Sequence, residues 1–180
     1  MLKDDPLLFS RSMLTHSRKP VCLSIVSTDL PVWSTIETAG TLYQKDKERF
    51  HLLLTEPAIP DWEPETEAAS IASQPTNHNP TNNNRRLLWL EISPYRVIMT
   101  MQGNSNLSYR HLWETGVYGI SRYWLNSDSL TRTQPLHLRN YTRSLKLTGR
   151  PMPAHLRVEY ELWSQKVQLG RYILNLDIHH

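Results

Sequence analysis

Leu156-Arg157-Val158-Glu159-Tyr160-Glu161-Leu162 alternates apolar and charged residues without exception. Successive side chains of an extended strand point to opposite faces, so Leu156, Val158, Tyr160 and Leu162 share one face and Arg157, Glu159 and Glu161 the other. Tyr172, Leu174, Leu176 and Ile178 repeat the pattern against Arg171, Asn175 and Asp177, which predicts a hairpin joined through Ser164 to Gln168. A sheet with one apolar and one charged face is the signature of antiparallel architecture with a single core.

Upstream of this hairpin, Leu87 to Ile92, Arg96 to Gln102, Leu107 to Trp113, Val117 to Leu125 and Leu130 to Thr133 are short apolar segments separated by Ser93-Pro94, Gly103-Asn104, Thr115-Gly116 and Asn126-Ser127-Asp128. Regular turn punctuation of this kind is what an all-β meander produces. Val21 to Thr28, Thr35 to Tyr43 and Arg49 to Thr55 add three more segments rich in Val, Ile, Thr and Leu. About ten strands with almost no helix fit a sandwich or a closed barrel, because an open meander of that length leaves exposed edges. The expected fold is therefore all-β, an antiparallel up-and-down barrel wide enough for one small ligand. A short N-terminal helix is expected over Asp5 to His16, where Asp5-Pro6 supplies an N-cap and a proline at the first helical position.

The stretch 56–84 breaks the pattern. Pro57, Pro60, Pro64, Pro75 and Pro80 lie too close together for a helix or an interior strand, and an Asn-rich run follows. It reads as a flexible insert in one domain spanning 1–180, since the residues before it are too few for a core of their own.

Composition narrows the class. Hydrophobic residues make up 39% of the 180-residue chain and charged residues 21%, ordinary globular usage. No window is apolar enough to span a bilayer and no secretory signal opens the chain, so a cytoplasmic location is expected. A single cysteine, Cys22, excludes an internal disulfide; its β-branched surroundings read as those of a structural thiol. The net charge is +3, short of the dense basic face of a nucleic-acid binder. From Arg110 to His180, eight arginines and two lysines face three glutamates and two aspartates, an excess of five positive charges that an anionic ligand or acidic partner can use.

Several chemistries lack their residues. The eight histidines show neither the i, i+4 spacing nor the Cys-His arrangement of a metal site. Glycines are scattered singly, which removes the dinucleotide fingerprint and the phosphate loop, and no Gly-x-Ser-x-Gly elbow is present. Neither a metal nor a cofactor is expected. What remains is a mixture of arginine and aromatic residues: Arg110 near Trp113, Arg122-Tyr123-Trp124, Arg139-Asn140-Tyr141, Arg143, and Arg157 near Tyr160. Guanidinium forks bind carboxylates and phosphates, while aromatic rings supply flat apolar walls. Together they suit a flat acidic ligand.

Gly119-Ile120-Ser121-Arg122-Tyr123, Ser127-Asp128-Ser129-Leu130-Thr131, Arg143-Ser144-Leu145-Lys146-Leu147 and Leu156-Arg157-Val158 resemble motifs of the S-type phycobiliprotein lyases. These are lipocalin-like barrels that attach linear tetrapyrrole bilins to cysteines of light-harvesting proteins. The resemblance covers about a third of the chain. It implies a bilin-type chromophore as ligand and an acceptor protein as partner, with Arg143 and Arg157 contacting the propionates and Arg122 and Tyr123 nearby. Leu145 stands where that family has a tryptophan, so lyase activity itself does not transfer with the fold. Two other readings compete: a non-enzymatic assembly or scaffold protein that docks a larger complex, and an enzyme of the chorismate-lyase kind. The latter rests on the similarity of Arg143 to Pro151 to that family's Arg-rich hairpin, with Glu159 and Glu161 as acidic candidates.

Overall fold

The computed structural model describes residues 16–55, 86–102, 107–125 and 135–180. Among them are ten antiparallel strands: β1 (His16–Ser27), β2 (Trp33–Gln44), β3 (Phe50–Thr55), β4 (Leu87–Ile92), β5 (Arg96–Gln102), β6 (Leu107–Glu114), β7 (Tyr118–Leu125), β8 (Leu136–Thr148), β9 (His155–Ser164) and β10 (Val167–Ile178). Each pairs with its neighbours in sequence, and β1 also pairs with β10, so the sheet closes into a barrel. The expected helix and insert, and a strand at Leu130 to Thr133, lie outside the described residues, except that His16 opens β1.

Alternation fills the barrel. Leu52 and Leu54 on β3, Leu88, Leu90 and Ile92 on β4, Val97, Met99 and Met101 on β5, and Leu174 and Leu176 on β10 are all buried, while their sequence neighbours face out. The expected hairpin forms, with a tighter connection than its polar sequence indicated. Ser164 pairs with Val167, so only Gln165 and Lys166 turn, and Gln165 takes a positive φ of 52°.

Two strands depart from the simple pattern for identifiable reasons. β1 starts five residues earlier than expected and contains Pro20. Pro20 pairs with Ala39 of β2, but its carbonyl accepts from the His179 N–H on the β10 side; its nitrogen faces that same side, where the ladder begins only at Val21, so no ladder bond requires the N–H that Pro20 lacks. β8 is one long strand that is missing from the segments expected from sequence, where Arg143 to Leu147 figures only in the family resemblance. A register shift between Thr142 and Ser144 places a bulge at Arg143. The inward set runs Leu138, Asn140 and Thr142 before the bulge and Leu145 and Leu147 after it. A phase change combined with polar inward residues hides the strand from an apolar-alternation reading.

The antiparallel order divides the loops between two rims. The β1–β2 turn, the β9–β10 turn and the strand ends flanking 56–85, 103–106 and 126–134 share the upper rim. The loops after β2, β4, β6 and β8 share the lower one. Between them β6 and β7 approach closely at Gly119, where an added Cβ would lie 2.2 Å from the Leu112 carbonyl oxygen and 2.7 Å from Asn140 Oδ1. A backbone atom cannot swing aside, so Gly119→Ala is expected to destabilise the protein by at least about 2 kcal/mol, comparable with a core truncation such as Leu90→Ala. Denaturant midpoints of the two variants check this.

Candidate functional site

The barrel interior has two unlike sectors. β1 to β5 present almost only aliphatic side chains, with Phe50 and two methionines. β6 to β10 also bury aliphatic residues such as Leu156, Val158, Leu174 and Leu176, but add Tyr109, His111 and Trp113, Ser121 and Tyr123, Asn140 and Thr142, Tyr160, and Tyr172. The i, i+2 row Tyr109-His111-Trp113 follows directly from the strand periodicity of β6.

A hydrogen-bonded chain crosses this second sector. Asn140 Nδ2 donates to Ser121 Oγ at 2.8 Å. Ser121 Oγ lies 2.7 Å from His111 Nδ1, and His111 Nε2 lies 3.3 Å from the Tyr123 hydroxyl. Since Ser121 already accepts from Asn140, the arrangement that uses every group has its hydroxyl donating to Nδ1 and Nε2–H donating to Tyr123. Rings close around the imidazole: Trp113 stacks on it at 5.0 Å and Tyr123 meets it edge-on at 5.3 Å. Trp113 in turn packs on Tyr160, and Tyr160 on Tyr172.

Burial sets the charge state. Desolvation pushes His111 down to about 3 and raises the Tyr123 and Tyr160 hydroxyls, so all three are neutral near pH 7. Among the described residues no carboxylate bonds to His111 to stabilise an imidazolium, and Ser121 is completely buried. This Ser–His pair therefore lacks the third group and the access that nucleophilic catalysis needs. It is a neutral polar relay. Three more buried atoms, Trp113 Nε1, Asn140 Oδ1 and Thr142 Oγ1, have no hydrogen-bond partner among the described residues. An unpaired buried polar group costs about 1–3 kcal/mol, so a core built for stability alone would avoid them.

The polar sector approaches the upper rim through Tyr109, whose ring lies 5.2 Å from His111 and 6.0 Å from Tyr123. Tyr109 also lines a depression of about 110 Å³ with Leu23, Ile25, Ser34, Ile36, Arg86, Leu88 and Met101. A surface hollow of about 150 Å³ near the lower rim gathers Lys45, Arg49, His51, Glu91 and Arg96, with Arg49 bonded to Asp46. No group of three metal-type side chains comes together among the described residues.

Of the four arginine and tyrosine positions singled out from sequence, the structure brings only Tyr123 to the interior. Arg122 is exposed on the outside of β7, opposite Arg110. Arg143 and Arg157 lie on the outer face of β8 and β9, bonded to Glu161 at 2.6 Å and to Glu159 at 3.0 Å respectively. Glu159 and Glu161 are thus also on that outer face. Cys22 is half-buried on the outside of β1, not inside as its apolar neighbours indicated, and burial together with Glu37 and Asp177 raises its thiol. His111, Ser121 and Asn140 were missed, although their inward positions follow from the same alternation once the strands are placed.

No family model and no curated protein matches this chain. Among solved structures, the crystal structure of the ywiB protein from Bacillus subtilis is similar, with a TM-score of 0.52. The match covers 91% of this chain and 94% of that one at 14% identity, a likeness of fold.

Because His111 stays neutral in the folded barrel but protonates near pH 6.5 when unfolded, the unfolded chain binds more protons between about 3 and 6.5. Stability is therefore fully present above pH 6.5 and is lost as pH falls, by an amount on the order of 4 kcal/mol at the low end of that window. Chemical denaturation at a series of pH values is expected to show this slope, and His111→Phe is expected to flatten it.

Proposed function

We propose that the protein is a small-molecule-binding barrel that takes a flat, partly acidic ligand through its upper rim. The observation that carries this reading is the continuity between the buried polar-aromatic sector and the rim depression, with Tyr109 belonging to both. Leu23, Ile25, Ile36, Leu88 and Met101 offer apolar walls, while Ser34, Tyr109 and Arg86 offer polar contacts. A largely apolar concavity with a few placed polar groups is the usual make-up of a ligand site.

Its size limits how the ligand sits. A volume of about 110 Å³ is well under the several hundred Å³ that encloses a drug-sized molecule, so one ring enters and the rest stays at the rim. A linear tetrapyrrole fits this mode, with a terminal ring inserted and its propionates outside. The same rim exposes Leu30, Val32, Trp33, Val167 and Leu169, with Trp33 75% accessible. Such a contiguous apolar edge favours docking of another protein. Docking there accommodates both the delivery of a ligand to an acceptor protein and the scaffold alternative.

The test is titration of the purified protein with a linear tetrapyrrole and, separately, a porphyrin, read by absorption. Saturable binding in the micromolar range is expected, and Ile36→Trp, which fills the depression, is expected to weaken it at least tenfold, about 1.4 kcal/mol. Arg157→Ala, on the outer wall, is expected to change it little. Absence of any spectral shift with either compound at tens of micromolar, or binding indifferent to Ile36→Trp, overturns the reading.

A further inference from the structure

The outer wall of β8, β9 and β10 holds a cleft of about 290 Å³ lined by Thr28, Arg143, Glu159, Arg171 and Ile173, together with Tyr160 and Tyr172. We infer that this cleft is a binding site for a small oxyanion, a phosphate or carboxylate group of a soluble ligand, clamped between Arg143 and Arg171. It stands apart from the rim depression and does not depend on the reading given above.

Glu161 is the carboxylate between the two arginines, and its side chain is only 11% accessible. One oxygen accepts from Arg143 Nη1 at 2.6 Å and the other from Trp163 Nε1 at 3.1 Å. Glu159 accepts from Arg157 at 3.0 Å, and Asp29 accepts from the Ser27 hydroxyl and the Arg171 backbone N–H, each at 2.9 Å. Each of these carboxylates already accepts at least one hydrogen bond.

The guanidinium groups are engaged only in part. Each carries five N–H donors in a planar fork. Arg143 places one of them on Glu161, while Arg171 Nε stands 3.9 Å from the same oxygen, beyond hydrogen-bond reach. Their side chains are 52% and 55% accessible and line the cleft, with no other hydrogen-bond partner among the described residues. Both arginines are nevertheless held in place. Arg143 sits at the β8 bulge, tied to a buried carboxylate. The Arg171 backbone is clamped on both sides, its N–H by Asp29 and its carbonyl by the Thr28 N–H at 2.9 Å. One guanidinium tied to a buried carboxylate and one carried on a fixed backbone, both with donors unclaimed among the described residues and beside the Thr28 side chain, offer charge-assisted contacts to a planar or tetrahedral oxyanion.

Nuclear magnetic resonance of the full chain tests this. Inorganic phosphate and acetate are titrated separately at constant ionic strength maintained with chloride, following the Arg Nε–H and Trp163 indole N–H signals. Saturable shifts of the Arg143, Arg171 and Trp163 signals are expected at millimolar phosphate. Saturation by phosphate alone assigns a phosphoryl ligand, and saturation by acetate as well assigns the wider carboxylate class; both support the site. R143Q and R171Q are each expected to weaken binding at least tenfold, R171K less so, and R110Q on β6 not at all. Backbone amide spectra of the variants confirm that the barrel is retained. Linear, non-saturating shifts with both anions, or affinity unchanged in R143Q and R171Q, overturn the proposal.

Discussion

The pairing of β1 with both β10 and β2 is the constraint on which the structure depends. It joins Val21 to Ile178 and Val26 to Trp33 within one strand, and it converts a ten-strand meander into a closed surface. An open sheet of this length would leave two rows of unpaired N–H and C=O groups and expose the apolar face that Leu23, Leu174 and Leu176 occupy. Closure also fixes register, because a one-residue slip in any strand would turn its whole inward set outward. The two rims, and hence the location of the depression, follow from that single topological fact.

With closure secured, the interior has room for chemical asymmetry. Apolar burial, at about 25 cal/mol per Å², dominates the favourable side of folding, and the sector from β1 to β5 consists almost wholly of it. The sector from β6 to β10 spends some of that gain on His111, Ser121, Asn140 and Thr142. The bonds among His111, Ser121 and Asn140 Nδ2 keep the cost modest, while Trp113 Nε1, Asn140 Oδ1 and Thr142 Oγ1, unpartnered among the described residues, are the places where stability has not been optimised.

Much of the architecture was legible in the sequence, because strict alternation in Leu156 to Leu162 and turn chemistry at Ser93-Pro94 and Thr115-Gly116 are local signals. β4 and β5 were placed to the residue for that reason. β8 was not seen, since a bulge and polar inward residues erase the apolar rhythm that such a reading relies on. The site was less legible still. Arginine and aromatic neighbours in sequence, such as Arg122 and Tyr123, point to opposite faces of a strand, so proximity along the chain separated them in space. His111 and Ser121 lie ten residues apart and meet only because β6 and β7 pair, a relation that no local pattern states.

The bulge at Arg143 has a consequence for how this barrel tolerates change. It is the joint at which β8 passes from a polar interior row, Asn140 and Thr142, to an apolar one, Leu145 and Leu147, while an arginine remains on the outside. A chain shortened by one residue there would have to choose between the interior relay and the lower core, because no single phase serves both. The rims absorb insertions by lengthening loops, whereas this wall position ties chain length to two unrelated sets of contacts at once.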